Sequence, residues 1–520
     1  MDARLPEDSD TAQRFLPRIR RELDKLPLTE QQKDATAPRL LELAQFLDSQ
    51  GNAKPAGGTL SPESAFFDMD VKINAVVEHF RDNGLTSEAY LQVVLKQPQL
   101  LLRSPATVIE NVNTVVGRLA ASGLTTSDYL AAALKHPSLL TQSPDTVVAN
   151  ITGVVDRFRD NGLTAGDYVR AAVNTPSLFA SAPDTIAANI EGVVVRFAAD
   201  GVTPRSYLRA AVRHSPLFSQ SPRTVAGNVE GVAERFAADG LTLRAYLQAA
   251  LKQPSLFSSN VERISANIDG VVREFAAEGL TTREYVGAAV QQPALFYATP
   301  DTVARHVREV IDRFAADGLT PKEYVKAAVK CPSLFGMSAG TVAGHITGVV
   351  ERFAGDGLTL PEYLRAAVKQ PALFTQSPET IGRHLGAIID FYDRGLIDLP
   401  GRPMQRVRRG EPQDENPHRP LVLAVLRNPY LLCLADENFG LREVHHRLTN
   451  GEPGWQVLKR PRHAVERELI DHLAPRSEEP AAPSDGFVAG VPSPTDEQAN
   501  RFLLRALMHA GFIRGGSIER

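Results

Sequence analysis

Ile186, Ile190, Val193 and Phe197 recur at spacings of four, three and four, which places these apolar residues on one stripe of a helix. The stripe returns along the chain with fixed punctuation. Gly84, Gly123, Gly162, Gly201, Gly240, Gly279, Gly318 and Gly357 fall 39 residues apart, the mark of stacked repeats. Prolines keep the same step at Pro98, Pro137, Pro176, Pro254, Pro293, Pro332 and Pro371, and Pro216 is one residue out of step.

Each period predicts two helices. After the glycine, a Leu-Thr pair opens a short helix, as in Gly318 to Lys330. Thr320 is an N-cap, and Glu323 completes a capping box that Thr281/Glu284 and Thr359/Glu362 repeat. The short helix stops at the recurring proline, because the residue before proline is pushed out of the α region. A Pro-Ser-Leu-Phe segment leads to a second start, Ser143-Pro144-Asp145 or Ser377-Pro378-Glu379, where serine caps and proline takes the first helical position. This longer helix ends at the next glycine, suited to a left-handed C-cap. Gly153, Gly192, Gly231, Gly270 and Gly348 sit in its middle, where glycine costs about 1 kcal/mol against alanine unless close packing requires it.

A unit of two amphipathic helices cannot bury its apolar face alone. The expected fold is all-α, a right-handed-type α-solenoid of about eight 39-residue two-helix repeats with degenerate capping repeats at both ends. Residues 1–50 read as a small helical segment and 51–62, rich in Gly, Pro and Ser, as a linker. Residues 63–395 hold a half-repeat cap (Ile73, Val76 and Phe80 on its stripe) and the repeats. Residues 396–475 hold a basic insertion, with Arg402, Arg406, Arg408 and Arg409, and a closing repeat around Leu421 to Leu432. Residues 476–520 read as a flexible linker and a short terminal helix.

Composition narrows the function classes. A net charge of −4 excludes a uniformly basic molecule, so any polyanion site is a local patch. Cys331 and Cys433 are the only cysteines, too few for a disulfide scaffold or a Cys-built zinc site. No apolar run reaches membrane-spanning length. The acidic start, Asp2, Glu7, Asp8 and Asp10, is unlike a secretory signal. A cytoplasmic protein is expected, or one exported into a host cell without a cleavable signal, and the excess of Arg over Lys together with abundant Ala suits a GC-rich bacterial gene. Neither cofactor nor metal is implied, and His445-His446 has no ligand partners at metal-site spacing. With no phosphate loop, nucleophile elbow or metalloprotease helix, a non-enzyme is expected.

Charge is where the repeats become informative. Three positions four residues apart on the short helix carry Arg205, Arg244, Arg283 and Lys322 at the first; Arg170, Arg209, Lys326 and Arg365 at the second; and Lys96, Lys135, Arg213, Lys252, Lys330 and Lys369 at the third. From Gly84 to Arg394 there are 29 basic and 29 acidic residues, and 14 of the basic ones lie on this one face. Two explanations fit: cations that complement helix C-termini on a solvated face, or a ribbon that contacts phosphates of DNA or RNA. The same face would also suit an acidic protein partner of an interaction scaffold. Beside it, Gln97, His136, Thr175, His214, Gln253, Gln292, Cys331 and Gln370 vary from repeat to repeat. On the longer helix, a ladder of Asn111, Asn150, Asn189, Asn228, Asn267, His306, His345 and His384 is expected to tie down backbone between repeats, and Arg118, Arg157, Arg196, Arg235, Arg313 and Arg352 to pair with acids.

The order Pro-x-Leu-Phe/Leu, Ser-Pro-Glu, apolar helix, Gly-Leu-Thr and short helix, as in Pro254 to Val290, is similar to the repeat of the mitochondrial transcription termination factor (mTERF) family. The resemblance covers about Phe66 to Arg394. It implies helix, helix and short 3₁₀ turn stacked into a curved solenoid that binds DNA or RNA along a basic face. Transcription-activator-like effector repeats are a weaker comparison, with a different period.

Overall fold

A computed structural model of the chain describes residues 10–26, 28–50, 68–393 and 416–433. Among them there are helices and turns and no strand, and the helices pack in series, consistent with an α-solenoid. They form two compact units, one of residues up to 261 without 238–240, the other of 238–240 and residues from 262 on. The expected linker at 51–62, the arginines from Arg402 to Arg409, His445-His446 and the segment 476–520 lie outside the described residues.

The repeat is organised around a helix stop. Helix Pro300–Phe314 leaves α geometry at Phe314 (φ −112°, ψ 10°) and tightens into the 3₁₀ turn Ala315–Asp317. Gly318 then takes φ 92°, where a side chain would be strained. Its amide donates to Ala315 O at 3.1 Å and that of Leu319 to Phe314 O at 3.2 Å, the two bonds of a Schellman stop. Leu319 is buried as the stop requires, which explains why Leu or Val follows each glycine. The α-helix therefore ends four residues before the glycine rather than at it, because the tighter turn satisfies its last carbonyls.

The next start follows at once. Thr320 accepts from the Glu323 amide at 3.3 Å while Glu323 Oε2 accepts from the Thr320 amide at 3.2 Å. Thr281 and Glu284 form the same box, and Thr203 forms it with Ser206. Thr359 departs from the expectation: Glu362 accepts from its hydroxyl at 2.5 Å and from Arg419 Nη2 at 2.9 Å, and no side-chain cap forms on the Glu362 amide. Ser377 caps its helix through the Thr380 amide, whereas Ser143, with a proline in the same place, makes no side-chain cap. Thr320→Ala is expected to lower the unfolding free energy by about 1 kcal/mol in urea titration, and Thr359→Ala by less.

Helix Pro321–Lys330 stops at Cys331 (φ −129°, ψ 82°), the residue before Pro332, and Pro332–Phe335 forms a second 3₁₀ turn with Leu334 and Phe335 buried. Each period thus contains a long helix, a tight turn, a ten-residue helix and a second turn. In one copy the second turn is α-helical, Ser177–Ala180.

Within each unit the long helices lie against one another as one layer and the short helices as another. Fixed sequence offsets carry the stacking. Tyr129, Tyr168 and Tyr207 meet Phe179, Phe218 and Phe257 edge to face at 5.1–5.5 Å, as Tyr285 and Tyr324 meet Phe335 and Phe374 in the second unit. The Tyr285 hydroxyl donates to Leu295 O at 3.3 Å, which satisfies a polar atom inside the core. The mid-helix glycines fit the first turn of the next long helix: a Cβ on Gly192 would lie 2.5 Å from Pro222 Cγ, and one on Gly270 2.3 Å from Pro300 Cγ.

Ion pairs follow a third offset. Arg157 forms a two-pronged pair with Glu191 (2.9 and 3.0 Å) and Arg196 with Glu230 (2.7 and 3.0 Å). At the same separation Glu274 pairs with Arg308, with the charges exchanged. Glu274→Arg alone is expected to lower stability by roughly 0.5 kcal/mol, and Glu274→Arg with Arg308→Glu to restore it, as read by paired melting curves.

The ends differ from the repeats. Helices Asp10–Asp24 and Glu30–Gln50 pack on each other around Phe15, Ile19, Leu23 and Leu40. Lys25 reaches Asp70 at 3.4 Å on helix Met69–His79, whose Ile73 and Val76 are buried, as is Phe80 just after it. At the other end, helix Arg419–Arg427 and turn Pro429–Cys433 bury Leu421, Val425, Leu431 and Leu432 against Leu360–Lys369 and Pro378–Asp393.

Candidate nucleic-acid interface

The ten-residue helices place the candidate cations. Because each starts at a threonine fixed by the Schellman stop and ends before a proline, its residues keep one rotational setting, and side-by-side packing brings like positions next to one another within each unit. The outward side is polar because the apolar residues turn inward: Tyr, Leu or Val and a pair of alanines, such as Tyr246, Leu247, Ala249 and Ala250, with Val93 and Val94 in place of the alanines in the first short helix.

All fourteen candidates are exposed: Lys96, Lys135, Arg170, Arg205, Arg209, Arg213, Arg244 and Lys252 on the first unit, and Arg283, Lys322, Lys326, Lys330, Arg365 and Lys369 on the second. Among the described residues three have protein partners. Arg213 donates to the carbonyls of Leu251 and Lys252, closing the end of the next short helix, Arg283 donates to Ala238 O at 3.1 Å, and Arg170 pairs with Asp167 at 3.3 Å. Arg205 stands beside Gly162. The lysines of the third position, Lys96, Lys135, Lys252, Lys330 and Lys369, have side chains with no hydrogen bond or ion pair among the described residues. Five acids of these helices, Asp128, Asp167, Glu284, Glu323 and Glu362, accept from the capping threonines, while exposed Glu88 is the one acid at a stripe position, in register with Arg205.

The longer helices treat charge differently. Arg118, Arg157 and Arg196 are bound to acids, and Arg313 and Arg352 lie over the rings of Phe314 and Phe353. The Asn/His ladder ties backbone between elements as expected: Asn150 donates to Phe179 O at 2.9 Å, Asn228 to Phe257 O at 3.1 Å, Asn267 to Phe296 O at 3.2 Å and His345 Nδ1 to Phe374 O at 3.2 Å. His384 continues it to Leu432 O at 2.9 Å, across the closing segment. His306 breaks it, its Nδ1 buried with no hydrogen-bond partner among the described residues.

The variable residues before the prolines are half-buried, except for exposed Gln292. Thr175 shares a hydrogen bond with Ser215 at 2.6 Å, and His214 Nε2 one with Ser258 at 3.1 Å, while Ser258 donates to Gln220. Burial holds His214 below the ordinary imidazole pKa, so it sits there neutral. Burial likewise pushes the Cys433 thiol up to about 12, far from a reactive thiolate. Among the described residues no three His, Cys, Asp or Glu side chains converge as a metal site, and no helix is long and apolar enough to cross a membrane.

Sequence reasoning missed the ion-pair offset and the anchoring role of Arg213 and Arg283. The first was visible as complementary charge 34 residues apart in Arg157/Glu191, Arg196/Glu230 and Glu274/Arg308. Comparison with known protein-family models finds no match, and comparison with curated proteins finds none either.

Proposed function

We propose that this chain is a non-enzymatic, nucleic-acid-binding solenoid of about eight 39-residue repeats, mTERF-like in type, which holds the phosphates of DNA or RNA with the cations of its short helices. The observation that carries the reading is the contrast between layers. Arg118, Arg157 and Arg196 of the long helices are bound to acids and Arg313 and Arg352 lie over rings, whereas the third-position lysines of the short helices stand exposed, with no hydrogen bond or ion pair among the described residues. Unpaired charge held at regular intervals attracts a polyanion and releases its counterions without whole-protein basicity. Arg213 and Arg283 serve the stack first, so the lysines carry most of the contact. The order of long helix, short helix and 3₁₀ turn supports the mTERF-like assignment, and the composition supports a bacterial, cytoplasmic protein.

The test is fluorescence anisotropy with labelled single- and double-stranded DNA and RNA at low salt. Binding that weakens linearly in log–log with salt is expected for at least one of the four. Indifference to all four ends the proposal, and binding of acidic proteins by the same chain would then identify an interaction scaffold.

A further inference from the structure

The contact that fastens the closing segment has an unusual chemical demand. His418 stands just before helix Arg419–Arg427, and its two ring nitrogens face two carboxylates from different elements. Nδ1 is 2.6 Å from Asp356 Oδ1 in the 3₁₀ turn Ala354–Asp356, and Nε2 is 2.9 Å from Asp393 Oδ1 at the end of helix Pro378–Asp393. A neutral imidazole has one N–H and one lone pair, so it can donate to only one of them and would set its lone pair against the other. The imidazolium donates to both.

We propose that His418 is a proton-controlled clasp, which as imidazolium bridges Asp356 and Asp393 and holds the closing helix on the last regular repeat, and as neutral imidazole gives up one of the two bonds. The charged groups that meet there are these two carboxylates and, on the adjoining side, Arg419 paired with Glu362 of helix Leu360–Lys369 at 2.9 Å. Arg419 also donates to Gly357 O at 2.6 Å and Asn416 to Gly355 O, so deprotonation loosens the segment rather than freeing it. What it loosens is a cover: Leu421, Val422, Leu431 and Leu432 lie fully buried against the repeat, and His384 spans to Leu432 O.

The direction of the pH response follows from the site. Partial burial opposes the charged ring, but the bonds to Asp356 and Asp393 outweigh it and hold His418 above the ordinary imidazole value. A group raised in the clasped state contributes its full stabilisation below the unclasped pKa, and the contribution is lost as pH rises through the raised one.

The test is amide hydrogen exchange of the full-length chain by mass spectrometry from about pH 6 to 9, the range in which imidazole charge changes. Rates are corrected for intrinsic chemistry and referred to peptides around Tyr285–Phe296. Wild type should lose protection severalfold across 419–433 as pH rises. His418→Arg should stay protected throughout, and His418→Gln should be weakly protected with no dependence. A flat wild-type profile, or a His418→Gln profile that titrates like wild type, overturns the proposal. Should both variants fail to fold, the imidazole titration of wild type followed by NMR decides: a midpoint above that of free histidine supports the clasp, and one at or below it overturns it.

Discussion

The triple variant Lys252→Glu, Lys330→Glu, Lys369→Glu is expected to lose nucleic-acid binding at salt concentrations where wild type binds, and to show a much flatter dependence on salt. These three lysines occupy one helix position, are exposed, and have side chains without a partner among the described residues, so their reversal removes no contact that the fold uses. Each phosphate contact contributes about 0.7 to 0.9 to the slope of log K against log salt, so losing three should flatten it by roughly 2 to 3. A polyanion bound by local contacts also separates this effect from a change in net charge. Arg273→Glu is the control: Arg273 lies on a long helix, at the position held by Asp156, Glu234, Asp312 and Glu351 in other repeats, and its reversal should leave the slope unchanged. Equal losses in both proteins would show that only total charge matters, and the assignment of the short-helix face would fail.

The repeat itself was legible because its signals are local and redundant. Glycine at a left-handed stop, threonine at a cap and proline at a helix end each act within five residues, and a 39-residue period presents them again and again. The exposure of the cations followed from the same helix periodicity. Which of them are engaged did not, since Arg213 and Arg283 find carbonyls 38 to 45 residues away, a distance set by how far one repeat is displaced from the next. Searching columns of identical residues likewise finds the asparagine ladder but passes over Arg157/Glu191, because a pair of opposite charges is a likeness only after a shift. The failed cap at Thr359 and the clasp at His418 belong to the end of the repeat series, where Arg419 and His418 come from a segment without periodic neighbours to announce them.

Gly270→Ala is expected to destabilise the second unit although the same substitution usually strengthens a helix. Replacing a mid-helix glycine with alanine gains about 1 kcal/mol when nothing stands in the way. At Gly270 the new Cβ would sit 2.3 Å from Pro300 Cγ and 3.1 Å from Pro300 Cβ, and the proline ring, fixed at the first turn of its helix, has no rotamer that withdraws it. Overpacking of this kind costs about 1–3 kcal/mol, so the net effect is a loss, read as a lower midpoint in urea. Gly344 supplies the opposite case in the same unit: a Cβ there meets nothing within 4 Å, and Gly344→Ala should raise the midpoint. The chain contains a natural version of the compensated pair. Thirty residues before Ala339, which replaces the usual proline, the glycine position holds Glu309, which is exposed, so that without the ring a full side chain is accommodated. Thr114 stands at the same separation from Pro144, so the notch governs the middle of the series more strictly than its start. Gly270→Ala combined with Pro300→Ala should therefore recover most of the loss. If it does not, the glycines do not set the approach of successive long helices, and the displacement that aligns the short-helix cations within each unit must come from the tyrosine and asparagine contacts instead.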